Sequence, residues 1–246
     1  MGLAARVRTA HGDAWAAEGV LREPLGGGAA ALTGIRVMAS GLPQPQWNGA
    51  DVTAPHPDLD GARAFYAARG LPLGVRVPEG MAWSAGHHVL RLRLMGLDPR
   101  DFVPAADVGG LAVRAAGPDD LDATLDLDSA AFGSDRDELR PWIEPHLGAP
   151  GFTVALASLD GEAAATAYSA RTDGAAGPSL LLAGVAVAER FRRRGIAAAV
   201  STWLLARGFE SGARLAHLHA DTEAAARVYA RLGFSDAGAL EVFAEV

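Results

Sequence analysis

The stretch 179–200, SLLLAGVAVAERFRRRGIAAAV, constrains the fold more than any other part of the chain. Residues 179–187 are a nearly continuous apolar run, the pattern of a central strand. Residues 189–194 form a polar turn with Arg190, Arg192, Arg193 and Arg194. Gly195 then opens a run with Ile196, Val200, Trp203 and Leu204 at helical spacing, so a helix is expected over 193–210. A strand therefore feeds an arginine-rich turn, and the turn feeds a helix N-terminus. The first N–H groups of a helix have no internal acceptors, and the helix dipole adds positive charge there. Such an end binds anions, phosphates above all. Gly195, without a side chain, lets a phosphate approach the backbone. A basic cluster alone would read as a solvated face. Its place before a glycine and a helix start favours the anion site.

The net charge of −7 makes this basic cluster a local feature and argues against a general nucleic-acid binder. The absence of cysteine excludes disulfides, thiolate–metal sites and a cysteine nucleophile. His87 and His88 are adjacent and point apart on a regular element, which is poor geometry for a shared metal. No metal is expected. The first residues lack a signal-peptide run and no apolar segment reaches membrane-spanning length, so a cytoplasmic protein with no membrane contact is expected.

The 246 residues suit one large domain or two small ones. Residues 3–21 read as a helix ended by Pro24 and Gly26–Gly28. Residues 29–38 read as a strand, 41–49 as a loop, Asp58–Arg69 as a helix and 71–77 as a strand. Residues 81–95 fit a strand or a helix, with alternating Leu90, Leu92 and Leu94 favouring the strand. Residues 96–110, rich in Gly, Pro and Asp, are the expected linker. Then come a strand at 111–116, helices at 118–132 and 137–147, and a hairpin at 152–159 and 162–171 turning on Asp160-Gly161. After 179–187 and its helix follow a strand at 214–220, a helix at 222–232 ended by Gly233, and one or two short strands. The expectation is an α/β (α+β) fold, a mixed and mostly antiparallel sheet flanked by helices.

Two motifs carry a resemblance. Arg192-Arg193-Arg194-Gly195-Ile196-Ala197 is similar to the Arg/Gln-x-x-Gly-x-Gly/Ala phosphate motif of the GCN5-related N-acyltransferase (GNAT) superfamily, and Tyr229 with Gly233-Phe234 resembles its later signature. The resemblance covers 111–246, read as one GNAT domain that binds acetyl-CoA. Residues 1–108, with WNG at 47–49 and FYAARGLP at 65–72, resemble a degenerate GNAT-like copy in tandem, without the phosphate motif. Where many members carry Asn before the tyrosine helix, this chain has Asp221-Thr222.

The resemblance implies an N-acetyltransferase acting on a primary amine of a small molecule or peptide, with acetyl-CoA as cosubstrate. It implies that the pyrophosphate lies on the amides of Arg193, Arg194, Gly195 and Ala197, within a cofactor-binding segment of Val185, Ala186, Val187 and Arg192 to Ala197. The backbone of Val185 and Val187 would pair with the pantetheine arm, and Tyr229 would act as general acid toward the leaving thiolate. A homodimer is among the states considered. The strand that supplies a catalytic glutamate in many members has no acid here. The base is left open among His217, His219, Glu162 and Asp128, with Glu189 read as a turn residue. A CoA-binding sensor that has lost catalysis is the alternative.

Overall fold

The computed structural model describes residues 2–245; Met1 and Val246, the outer limits of the two expected domains, lie outside the described residues. The first half holds α1 (Leu3–Leu21), β1 (Gly28–Leu32), β2 (Ile35–Ala39), β3 (Gly49–Val52), α2 (Leu59–Ala67), β4 (Gly74–Pro78) and β5 (His87–Leu97). The second holds β6 (Leu111–Ala115), α3 (Leu121–Phe132), α4 (Arg136–Ile143), β7 (Phe152–Leu159), β8 (Glu162–Gly174), β9 (Gly177–Val187), α5 (Ile196–Glu210), β10 (Ala216–Ala220), α6 (Glu223–Arg231) and β11 (Ser235–Ala244).

All eleven strands form one sheet in the order β1-β2-β3-β4-β11-β5-β10-β9-β8-β7-β6. This is the expected mixed, mostly antiparallel sheet flanked by helices. Each half repeats one scheme. An antiparallel meander (β1-β2-β3, and β7-β8-β9) is followed by a helical crossover to a parallel neighbour (β4, and β10). The last strand of each half then crosses to the other. β5 lies between β10 and β11, while β11 lies between β4 and β5. The connection 98–110 falls where the expected boundary was drawn, but the sheet does not divide there.

Several local expectations need revision. Residues 29–38 are a hairpin rather than one strand, turning at Thr33-Gly34. The loop 41–49 runs into β3. Residues 81–95 resolve as strand from His87 onward, because Leu92 and Leu94 pack with Val7 and Ala10 of α1. The helix expected over 193–210 starts only at Ile196. Arg193 (φ 65°) and Gly195 (φ 82°) are left-handed, and an L-residue helix does not run through such a pair. The C-terminal segment is a single strand.

The two faces of the sheet carry different layers, as alternation along β9 requires. Leu180 and Leu182 point into the core with Ile196, Val200 and Leu204 of α5 and Ala226 of α6. Leu181 points the other way, to Ala14 of α1. The α3–α4 pair lies on the α1 side, where Leu125, Leu139 and Trp142 meet Trp15. The connection 98–110 runs back along α5: Phe102 packs edge-on to Phe209 at 5.4 Å, and Ala105 N–H donates to Thr202 Oγ1 at 2.9 Å.

Candidate functional site

The arginine turn is a cradle of free donors. Gly195 caps α5 without any side-chain acceptor. The N–H groups of Arg193, Arg194, Gly195, Ile196, Ala197 and Ala198 have no hydrogen-bond acceptor among the described residues. Left-handed residues at 193 and 195 curl these groups toward one side, a concavity suited to an anion. Space is open there: a Cβ placed on Gly195 would meet only Val108 Cγ2, at 3.6 Å. Arg192, Arg193 and Arg194 are exposed. Arg190 is engaged elsewhere, pairing with Glu162 at 3.1 Å and lying over the Phe191 ring. Ile196 offers only its amide, since its side chain is buried in the core.

The turn stands at the mouth of a gap in the sheet. β9 and β10 pair only at Leu180–Ala216 and Leu181–His217, and then part. Beyond Leu181 the β10-facing edge of β9 has no strand partner. Ala188 N–H donates to Ala164 on β8, so alternation turns the backbone of Val187 toward the gap. The Val187 carbonyl there accepts from Arg192 Nε at 3.2 Å. A bulge between Ala183 and Ala186 re-aims Val185. Gly184 sits in it at φ 60°, with the Tyr168 ring so close that a Cβ would come within 2.9 Å of Cδ1. Ala186 is buried, whereas Val185 and Val187 are half-buried against the α5 core.

Side chains approach the gap from both faces. Tyr229 of α6 packs on the α5 side, edge-on to Phe234 at 5.9 Å. Its hydroxyl has no hydrogen-bond partner among the described residues. Burial, helped by the Asp221 charge, pushes its pKa up to about 12, so at neutral pH it is a neutral donor. Thr222 caps α6 by accepting from Ala225 N–H at 3.1 Å. On β10, His217 and His219 share the α1-facing side. His217 is fully buried with both ring nitrogens unpartnered, and burial pushes its pKa down to about 3. It is an uncharged, poorly basic group. His219 lies two residues beyond the last β9–β10 pair, 3.7 Å from Asp221 Oδ1 through Nε2, with 30% of its side chain exposed.

The remaining base candidates separate. Glu162 is held by Arg190 at 3.1 Å, and Glu189 is an exposed residue of the turn itself. Asp128 of α3 is mostly buried, its Oδ1 lacks a partner, and burial pushes its pKa up to about 7. It lies near Tyr168, whose ring covers the bulge. Sequence reasoning had no signal for the Arg192–Val187 contact or for Tyr168 at the bulge, since both depend on how the turn and strands fold back.

Among the described residues, the parallel crossover of the first half has no equivalent cradle. β3 and β4 also pair at only two positions, Ala50–Val75 and Asp51–Arg76. Yet the helix between them, α2, begins with its own carboxylate: Asp58 accepts from Gly61 N–H at 2.9 Å. That end is already filled by negative charge.

Comparison with known proteins places this architecture. Residues 121–234 match the family model described as "Acetyltransferase (GNAT) family". Among curated proteins, none matches the sequence. A GCN5-related N-acetyltransferase from Kribbella flavida is similar in structure, with a TM-score of 0.75, 21% identity, and coverage of 100% of this chain and 96% of that one. A tandem GNAT protein from the clavulanic acid biosynthesis pathway has a TM-score of 0.58 at 18% identity, over 86% of this chain and 78% of its own. A GCN5-related N-acetyltransferase from Sphaerobacter thermophilus has a TM-score of 0.58 at 16% identity, over 96% and 93%. At these identities the likeness is one of fold, and it extends over both halves. Free amides at an arginine turn and the open strand edge beside them both lie within residues 121–234, the segment that matches the GNAT acetyltransferase family model.

Proposed function

We propose that the protein transfers an acetyl group from acetyl-CoA to a primary amine of a small molecule or peptide by direct attack. One observation carries the reading: the unpartnered amides of 193–198 stand at the mouth of the gap where β9 leaves β10. The site fits that cosubstrate. The amides of Arg193, Arg194, Gly195 and Ala197 would hold the pyrophosphate, with the exposed arginines adding longer-range attraction. The free edge of β9 at Val185 and Val187 would pair with the pantetheine amides as an added strand. Acetyl-CoA supplies an activated thioester. Tyr229 would donate to the sulfur as charge develops there, and its raised pKa keeps it protonated for that role.

In this reading residues 1–108 do not bind CoA, because the equivalent crossover helix, α2, is capped by Asp58. They supply α1, which covers the gap from the acceptor side. Calorimetry with acetyl-CoA and thiol release across a panel of amines test the assignment. Binding in the micromolar range with thiol release supports it, and absence of binding overturns it. The second reading, a CoA-binding sensor without catalysis, is favoured by the lack of any acid on β9. It predicts binding without thiol release.

A further inference from the structure

The proposed transfer needs a base, and β9 offers none. Asp221 Oδ1 lies 3.7 Å from His219 Nε2, and its charge also raises the pKa of Tyr229. The two come from opposite faces of the sheet. Tyr229 packs on the α5 side, while His219 shares the side of His217, which faces α1. Between these faces runs the gap. A thioester seated along β9 would therefore have Tyr229 on one side and His219 on the other.

His219 is free for such work. It makes no hydrogen bond among the described residues, so it is not a structural histidine satisfied by the fold. His217, two residues earlier, lies at the last β9–β10 pair and is sealed; His219 lies past it, where the strands have parted. The Asp221 carboxylate at 3.7 Å from Nε2 favours the proton on that nitrogen and leaves the Nδ1 lone pair available.

Resting on the acetyltransferase reading above, we propose that His219, oriented by Asp221, is the general base that takes the proton from the acceptor amine. The amine nitrogen forms a bond to the acetyl carbonyl carbon, and the C–S bond breaks with its electron pair on sulfur. The surplus proton on nitrogen goes to His219. The Tyr229 hydroxyl gives its proton to sulfur, and solvent returns the proton of His219 to Tyr229. The products are the N-acetyl amine and free CoA thiol.

The surroundings favour a neutral imidazole. Burial lowers the pKa of His219, and His11 from α1 and Arg76 from β4 lower it further, against the opposing pull of Asp221. The other titratable groups nearby are the neutral His217 on β10, Asp51 on β3, which pairs with His11 and Arg76, and Arg93 on β5, which is bound to Glu223 and Asp236. His219 should thus stay unprotonated through neutral pH and charge only in acid.

The test compares wild type, His219→Gln, Asp221→Asn and Asp128→Asn. Thiol release from acetyl-CoA is followed against pH with a polyamine, an amino acid, a peptide with a free N-terminus and an aminosugar. His219→Gln should lose about 10²-fold in kcat and the acid limb of the profile, with acetyl-CoA affinity by calorimetry unchanged. Asp221→Asn should keep the limb and move it. Wild-type kcat and limb in His219→Gln overturn the proposal. So does a limb kept in that variant and lost in Asp128→Asn, which transfers the role to Asp128. A wild type that binds acetyl-CoA and acetylates none of the amines counts against the transferase reading itself, and the proposal falls with it.

Discussion

At the scale of single residues, the site depends on a few atoms with no slack. Gly195 is left-handed, and the space a side chain would take is the space the cradle leaves open. Gly195→Val should abolish acetyl-CoA binding, in addition to a backbone cost of about 1–2 kcal/mol; unchanged affinity by calorimetry would refute the cradle. Tyr229→Phe keeps the ring against Phe234 and removes only the hydroxyl. Turnover should fall about 10²-fold with little change in cofactor affinity, and wild-type turnover would take Tyr229 out of the mechanism. Asp128 makes a thermodynamic prediction. Its carboxyl binds a proton more tightly folded than unfolded, because burial pushes its pKa up from 3.8 to about 7. Stability contributed by the neutral carboxyl is present in acid and is lost as the pH rises through about 7, by at most about 4 kcal/mol. Asp128→Asn should therefore raise the urea midpoint at about pH 8 and leave it near wild type at about pH 4. A stability gap that does not widen with pH would contradict this.

At the scale of elements, the exchanged strands govern what can be cut apart. A fragment of residues 111–246 lacks β5 and leaves β10 and β11 without their shared neighbour. Such unpaired edges associate. The fragment should be oligomeric or unfolded by size-exclusion chromatography and NMR; a folded monomer would show that β5 is dispensable. This exchange was not legible in the sequence. Alternating Leu90, Leu92 and Leu94 indicate a strand, but periodicity names no partner. β3 was missed because GADV is short and follows the Trp-Asn-Gly turn signal. The β1–β2 hairpin was missed because its turn is only Thr33-Gly34. The β7–β8 hairpin and the apolar β9 were legible, since their turn residues and buried runs are local. So was the arginine turn, although only the folded backbone shows that α5 starts after Gly195. The candidate base was legible only as a set of alternatives. Burial of His217, the partial exposure of His219 and the parting of β9 from β10 are tertiary facts.

At the scale of the whole molecule, a buried ionic group ties the halves together. Glu18 and Arg22 of α1 pair at 2.5 Å, and Glu18 also meets His146 Nε2, just after α4, at 2.8 Å. Arg22 bonds the Trp142 carbonyl and lies 3.8 Å over that ring. Burial alone would raise the pKa of Glu18, but His146 and Arg22 together hold it low. Removing one partner leaves a buried charge uncompensated, so Arg22→Ala should cost about 3–5 kcal/mol. The loss should appear as one shifted denaturation transition for both halves rather than as two. A separate early transition would mean that the halves unfold independently.

Synthesis runs in one direction, and the exchanged strands do not. β5 ends at Leu97, while its partners β10 and β11 begin at Ala216 and Ser235. At roughly 5–20 residues per second a ribosome takes on the order of ten seconds to make the intervening chain. Through that interval β5 has neither neighbour, and β4 lacks β11. The nascent chain must carry an unpaired strand until β10 and β11 emerge, so its exposure to misassembly is set by the speed of translation rather than by the stability of the finished sheet.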